Sequence, residues 1–371
     1  YSESLRPADL DGLAEAFLVD VASGSTDLLS VATSGVKGDH HTLGCRLSGD
    51  GRRAVFASRA TNLVPGDSNH SIDVFLRDLA SGTTTRVSVG PGGIQSDGDS
   101  GCWLAGLFAI YCAGFDISRD GRYVAFDSRA TNLVPGDTNA SWHVFVRDTA
   151  TGVTERASVG PAGEQGDGLS WFPSLSADGR WVAFESVASS LGGSPYGVLV
   201  KDRLTGALQN VSVTSLGEPA DGPSFSPSIS ADGRLVAFHS QATNLFPGDA
   251  NHWEDVFLHD RRTGVTSLLS ASPSGDIGDH RSQFPWIAAD GTSVVFGSFA
   301  SNLVADDTNG AAEVIGRDLR ARPVARSCTD WRTSLKKNST IWPRSNRSTT
   351  ASRSATPGQR TCRWSSIASV T

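Results

Sequence analysis

Residues 118–178 spell out one copy of a unit that recurs along the chain, and this recurrence limits the possible folds more than any other feature. The copy opens SRDGRYVAFDSRATNLVPGDTN, passes through an apolar run at 143–146 and a turn at 148–152 into TERASV, and ends in a glycine-rich loop. Asp50, Asp120, Asp178, Asp232 and Asp290 are each followed by glycine, at separations of 70, 58, 54 and 58 residues. Such a period marks a repeat architecture. Within a copy, Tyr123, Val124, Ala125, Phe126 and Asp127 alternate with period two, the signature of a strand, and no long helical pattern occurs before residue 320.

Four short strands can be read per copy. In the second copy they cover 114–118, 122–128, 143–147 and 153–159, here called a, b, c and d. An Asp-Gly turn joins a to b, where glycine tolerates the positive φ of a tight hairpin. A second tight turn joins c to d at 78–82, 148–152, 202–206 and 260–264. Four antiparallel strands recurring at this spacing predict the blade of a β-propeller.

The SxDGRxVAFxS core, followed by an aromatic strand ending in Arg-Asp and a Thr-Gly turn, resembles the TolB-type, WD-like propeller repeat of bacteria. The resemblance spans roughly residues 8–320 and recurs five times. It implies a propeller, commonly six-bladed, often exported, and usually a binding scaffold. The same repeat family supplies propeller domains to peptidases and polysaccharide lyases, so the fold leaves the activity open.

These readings give an all-β, six-bladed propeller over residues 1–320 with an incomplete first or last blade. A half blade lies at 7–31, and whole blades at about 43–90, 114–159, 172–213, 226–270 and 284–319. PADLDGLAEAFLVDVASGSTDLLSV aligns with the second half of a copy, so the first blade lacks strands a and b. Five units sharing neighbouring surfaces favour one closed ring over two domains. The chain begins at Tyr1 and holds no methionine or charged-then-apolar leader, which reads as a processed or truncated product.

The repeat stops abruptly after Leu319. Residues 320–371 contain 11 Lys and Arg against one acidic residue, and 18 of these 52 residues are Ser or Thr. The tail at 321–371 therefore reads as disordered or out of frame, with a reading-frame change the favoured explanation of so sudden a break, and no function is assigned to it. Residues 1–319 hold 21 Lys and Arg against 38 Asp and Glu. So acidic a body disfavours nucleic acid, and no stretch is apolar enough to span a membrane.

Of the five cysteines, Cys102 and Cys112 bracket CWLAGLFAIYC, an insertion the other copies lack. Either a disulfide clips it, as suits an exported protein, or both are small buried apolar residues. The others are Cys45 and, in the tail, Cys328 and Cys362, and there is no CxxC pair to suggest zinc.

With a-to-b and c-to-d as tight turns, the long b-to-c and d-to-a loops gather on the opposite rim, where function usually sits. The d-to-a loops carry Asp39, Asp97, Asp167, Asp221 and Asp279, a set placed to ring the channel mouth. The b-to-c loops carry Asp67, Asn69 and Asp73; Asp249, Asn251 and Asp255; Asp307, Asn309 and Glu313; and Asp9, Asp11 and Glu15. Oxygen ligands at alternate positions with a later carboxylate suit calcium, yet Asp and Asn are also turn formers whose side chains bond nearby backbone. The spacing fits both. The second copy has His143 at the last position, and the third, GGSPYG, lacks the motif.

Trp103, Trp142, Trp171 and Trp253 fall in long-rim loops, where they could stack on a sugar or peptide or cover a blade edge. Asp127, Glu185 and His239 share one position of strand b and are the only residues worth testing for catalysis. Recurrence argues against catalysis, because residues repeated in each blade usually serve the blade. The expectation is a secreted or periplasmic, monomeric propeller that binds a protein or carbohydrate through its long-loop face, with no cofactor apart from possible calcium. The alternatives are a carboxylate-using polysaccharide lyase or glycoside hydrolase, or a propeller domain of a larger enzyme such as a peptidase.

Overall fold

The computed structural model describes residues 12–105, 109–111, 114–192, 196–305, 307, 311–320 and, as backbone, 360–363. In chain order the strands are β1 (Phe17–Asp20), β2 (Thr26–Leu28), β3 (Thr42–Leu47), β4 (Arg53–Ser58), β5 (Asp73–Asp78), β6 (Thr83–Arg86), β7 (Trp103–Ala105), β8 (Ala109–Tyr111), β9 (Phe115–Ile117), β10 (Tyr123–Ser128), β11 (His143–Asp148) and β12 (Val153–Arg156). They continue with β13 (Ser170–Leu175), β14 (Trp181–Ser186), β15 (Gly197–Asp202), β16 (Leu208–Asn210), β17 (Ser224–Ile229), β18 (Leu235–Ser240), β19 (Asp255–Asp260), β20 (Val265–Leu268), β21 (Ser282–Ile287), β22 (Ser293–Ser298), β23 (Glu313–Asp318) and β24 (Arg360–Arg363). Helix among the described residues is limited to two 3-10 turns, at Pro91–Gly93 and Ser189–Leu191.

Four sheets are complete antiparallel a-b-c-d meanders: β3 to β6, β9 to β12, β13 to β16 and β17 to β20. A fifth holds β21, β22 and β23, and β7 pairs with β8 as a separate hairpin in the insertion. The sixth orders β2, β1 and β24, with Leu18 opposite Cys362 and Val19 opposite Thr361. A strand at Arg360–Arg363 thus takes the b position beside β1, in a stretch where the sequence shows no strand pattern. The chain divides into two compact units, residues 1–210 with 231–233 and 358–371, and residues 211–230 with 234–357.

In the first unit the b strand is buried on both faces. Val124, Ala125 and Phe126 are fully buried and Asp127 is 1% exposed, so the alternation read from the sequence does not separate solvent from core. It separates one neighbouring blade from the other. Val124 and Phe126 pack with Val55, Ala57 and Val74 of the preceding sheet, whereas Ala125 joins Val182 and Phe184 of the following one. A bulky phenylalanine in one blade thereby meets a small alanine of the preceding one, large against small across the interblade layer. The second unit repeats the arrangement, with Ala237 and Val256 against Val294, Phe296 and Ile315.

The tight turns have a common chemistry. Asp50 Oδ1 accepts the Ser48 hydroxyl at 2.6 Å and the Arg52 amide at 3.0 Å, and Ser118 with Asp120 and Ser176 with Asp178 repeat the contact at 2.7 and 2.6 Å. Glycine follows because φ is positive there and space is short: a Cβ on Gly179, at φ +69°, would stand 2.4 Å from the Tyr123 ring. The arginine of the DGR motif and the aspartate ending strand c are partners. Arg122 grips Asp148 at 3.0 and 2.7 Å, and Arg180 grips Asp202 at 2.9 and 2.7 Å. These bidentate bonds tie the two tight turns of a blade together and hold the Asp148 and Asp202 carboxyls well below the usual range.

Candidate functional site

The two long-loop types meet within each blade. Asp39 accepts the Thr61 amide at 2.7 Å and the Thr61 hydroxyl at 2.8 Å. Asp97 does the same with Thr131, Asp221 with Thr243, and Asp279 with Ser301, while Asp167 takes Ser189 and Ser190. Each carboxylate at the d-to-a position thus caps the b-to-c loop of its own blade. The Ser189 hydroxyl and Ser190 amide hold the Asp167 carboxyl below its ordinary value. At Asp39 partial burial works the other way, but the Thr61 bonds outweigh it and keep that carboxyl low too.

The b-to-c motif forms a second, buried layer. Asp73 is fully buried at the start of β5. Its oxygens accept Ser88 at 2.5 Å, Ser96 at 2.9 Å and Asn69 at 3.1 Å. The positive charge beside it is Arg86, 3.3 Å from Asp73 and 3.7 Å from Asp67, whose carboxylate also takes the Gln95 side-chain amide at 3.0 Å. In the next sheet Arg156 lies 3.7 Å from Asp137, and His143 and Asn139 complete the set. Burial lowers the His143 imidazole to about 4, so it is neutral at neutral pH. Glu15 pairs with Lys37 at 2.5 Å. Asp9, Asp11 and Asn309 lie outside the described residues, and Glu313 opens β23 opposite Ser298.

The strand-b candidates are engaged by the neighbouring strand a. Asp127 Oδ2 accepts the Phe172 amide at 3.2 Å, and Glu185 accepts the Trp171 indole N–H at 2.6 Å. His239 Nδ1 accepts the Phe284 amide at 3.5 Å, and its ring lies 5.5 Å from both Phe225 and Phe284. Strand a breaks register at Trp171/Ser174, Phe225/Ser228 and Gln283/Trp286. There Phe172, Ser226 and Phe284 adopt φ of +51°, +50° and +54°. Each precedes a proline, Pro173, Pro227 or Pro285, and proline inside a strand is the sequence signal of a bulge. The bulge turns an amide toward the strand-b side chain.

Burial takes the Asp127 carboxyl up to about 7, only partly offset by the Phe172 amide, and takes the His239 imidazole down to about 3. His239 is therefore uncharged where a general acid–base imidazole would need to titrate. Asp127 gives a pH test of its own. A carboxyl whose folded pKa lies above its unfolded value near 4 costs no stability below pH 4, and its penalty grows until about pH 7. Asp127→Asn keeps an acceptor for the Phe172 amide and removes the charge. The substitution should stabilise the protein by about 1–3 kcal/mol at pH 8 and change little at pH 4.5, as read by urea unfolding.

Trp103 belongs to β7, where only its backbone is described, Trp142 is half-buried, and Trp171 is held by Glu185. Trp253, 40% exposed, stacks on His280 at 4.3 Å and 14°. His280 also lies 5.8 Å from Phe299, over which the Arg281 guanidinium sits at 4.5 Å. The long loops of the adjacent β17–β20 and β21–β23 sheets therefore present an aromatic platform. Phe284 and Trp286, 64% and 50% exposed, were not singled out from the sequence, although Trp286 stands where the earlier copies have Ser174 and Ser228.

Cys45 is disulfide-bonded. Cys102 is buried, and Cys112 lies outside the described residues. A cavity of about 340 Å³ in the first unit is lined by Leu18, Leu29, Lys37 and Arg77 and includes none of the strand-b candidates. No helix among the described residues is long and apolar enough to cross a membrane.

Repeated four-stranded meanders packed through their b strands make this a β-propeller repeat protein. Among solved structures the chain is similar to a putative TolB from Agrobacterium tumefaciens, at 14% identity and TM-score 0.48 over 83% of this chain and 86% of that one. It is also similar to TolB from Acinetobacter baumannii, at 14% identity and TM-score 0.41 over 78% and 61%, and to Kuenenia stuttgartiensis hydrazine synthase, at 14% identity and TM-score 0.40 over 77% and 68%. These likenesses carry no residue roles to this chain. No family model and no curated protein matches it.

Proposed function

We propose that the chain is a non-catalytic binding propeller of the bacterial envelope or exterior, which engages a protein or glycan through its long-loop face. One observation carries this reading: the exposed long-loop carboxylates Asp39, Asp97, Asp167, Asp221 and Asp279 are engaged in capping neighbouring loops, while the exposed Trp253 and Phe299 form an aromatic platform with the half-buried His280. Flat rings of this kind bind sugar faces and peptide side chains with little loss of conformational freedom. The Cys45 disulfide supports an oxidising compartment, and the acidic body speaks against nucleic acid. The rival reading, a polysaccharide lyase or glycoside hydrolase, rests on Asp127, a buried carboxyl that titrates near neutrality. Its carboxylate is hydrogen-bonded to backbone, and among the described residues no second titratable side chain shares a hydrogen bond with it. The test is binding to immobilised oligosaccharide and peptide panels. Trp253→Ala should weaken binding by about tenfold or more with the melting temperature unchanged, and binding indifferent to this substitution would remove the platform from the account.

A further inference from the structure

Strand register allows the buried carboxylate sites to be compared blade by blade. Arg86 lies opposite Phe75 and Arg156 opposite Phe145, and the same position holds Asn210 opposite Leu199, Leu268 opposite Phe257 and Leu28 opposite Phe17. A second position, bridged across the d-to-a loop, holds Gln95, Gln165, Pro219, Ile277 and Lys37. Wherever the b-to-c motif carries acidic side chains in the first unit, one of these two positions supplies a cation: Arg86 for Asp67 and Asp73, Arg156 for Asp137, Lys37 for Glu15. The β15 blade has lost both, with Gly197 at the start of strand c and Asn210 opposite.

The β19 blade breaks this rule. Asp249 and Asp255 are both present, yet Leu268 and Ile277 stand where the cation belongs. The rest of the loop keeps its form. Asn251 donates to the Gly278 carbonyl at 2.7 Å, as Asn69 donates to Ser96 at 2.9 Å and Asn139 to Gly166 at 2.9 Å. Asp255 is fully buried; Oδ1 accepts the Ser270 hydroxyl at 2.6 Å, the nearby Asn251 side chain favours the charged carboxylate, and Oδ2 has no partner at hydrogen-bond distance. The groups with the largest electrostatic influence on the pair are Asp221, Glu254 and the exposed His252, and neither Lys nor Arg is among them. A buried carboxylate that feels a half-buried second one, with no cationic side chain at either position, is unstable.

We propose that Asp249 and Asp255 form a cation site that holds a divalent ion of the calcium type in the position a guanidinium fills in the sister blades. An oxygen-only donor set suits a hard cation, and so few carboxylates place the affinity at about 10⁻⁴–10⁻³ M. The ion neutralises the pair, the charge that Arg86 and Arg156 supply covalently elsewhere.

The test uses calcium chloride and magnesium chloride alone, added to the full chain at pH 7.5, with the melting temperature and the heat of binding as readouts. Calcium at 5 mM should raise the melting temperature by about 2–5 °C, saturably, and calorimetry should show one site. Leu268→Arg, which installs the sister arginine, should raise the melting temperature without metal and abolish the calcium response. Asp255→Asn should abolish the response, and Asp67→Asn, in a blade with its own arginine, should leave it intact. An unresponsive wild type, or a calcium shift that survives in Leu268→Arg, overturns the proposal. So does a pair that is stabilised by acid alone, since a shared proton would then replace the ion.

Discussion

Arg86→Leu should destabilise the first unit by about 3–5 kcal/mol at pH 8, because it leaves Asp67 and Asp73 as buried carboxylates without a partner charge. Burial already pushes both carboxyls up, at Asp67 against the pull of Arg86 and at Asp73 against its Ser88 bond and then Arg86. With the arginine gone they rise further. A carboxyl with a raised folded pKa weakens the fold as pH climbs from about 4 through that pKa, so the loss should shrink by about half at pH 5, where protonation relieves the charge. Urea unfolding at the two pH values measures the difference. A loss that is the same at both would mean that Arg86 contributes packing through its stem rather than charge.

Phe126→Ala should cost about 3–5 kcal/mol at any pH. Phe126 is fully buried, its ring stacks 5.9 Å from Phe145, and it fills the layer against Val55 and Ala57. The neighbours are strands held in ladders on both sides, so the site cannot collapse to close the void. Leu216→Ala is the matched control: Leu216 is 88% exposed and its loss should stay within about 0.5 kcal/mol.

The strands and tight turns were legible because their causes are local. Val124, Ala125 and Phe126 announce a strand within three residues, and Asp120 with Gly121 announces its turn. Strand d shows how far this goes: the pattern predicts 153–159, but the strand ends at Arg156, because Ala157 and Ser158 both turn back to the Val144 carbonyl and leave the ladder. The site was less legible because its partners are distant in sequence. Arg122 and Asp148 both stood in the recognised motif, yet only the register of β10 and β11 brings them together. The calcium-like spacing of Asp67, Asn69 and Asp73 gave no sign of Arg86, which arrives from a different strand. Asp127 and His239 stood out as variable positions, but the bulge amides of Phe172 and Phe284 that engage them come from the following blade. The prolines after those bulges were the one available signal.

The central claim is that the acidic residues of this propeller serve its scaffold and that its face binds without turnover. The most direct measurement incubates the protein with polysaccharides of both charge classes between pH 4 and pH 9 and follows reducing ends together with the ultraviolet absorbance of unsaturated products. The account predicts no product above the buffer rate at any pH. Product formation that rises and falls about a midpoint near pH 7 and disappears in Asp127→Asn, while that variant remains folded, would contradict it and make Asp127 a catalytic acid or base.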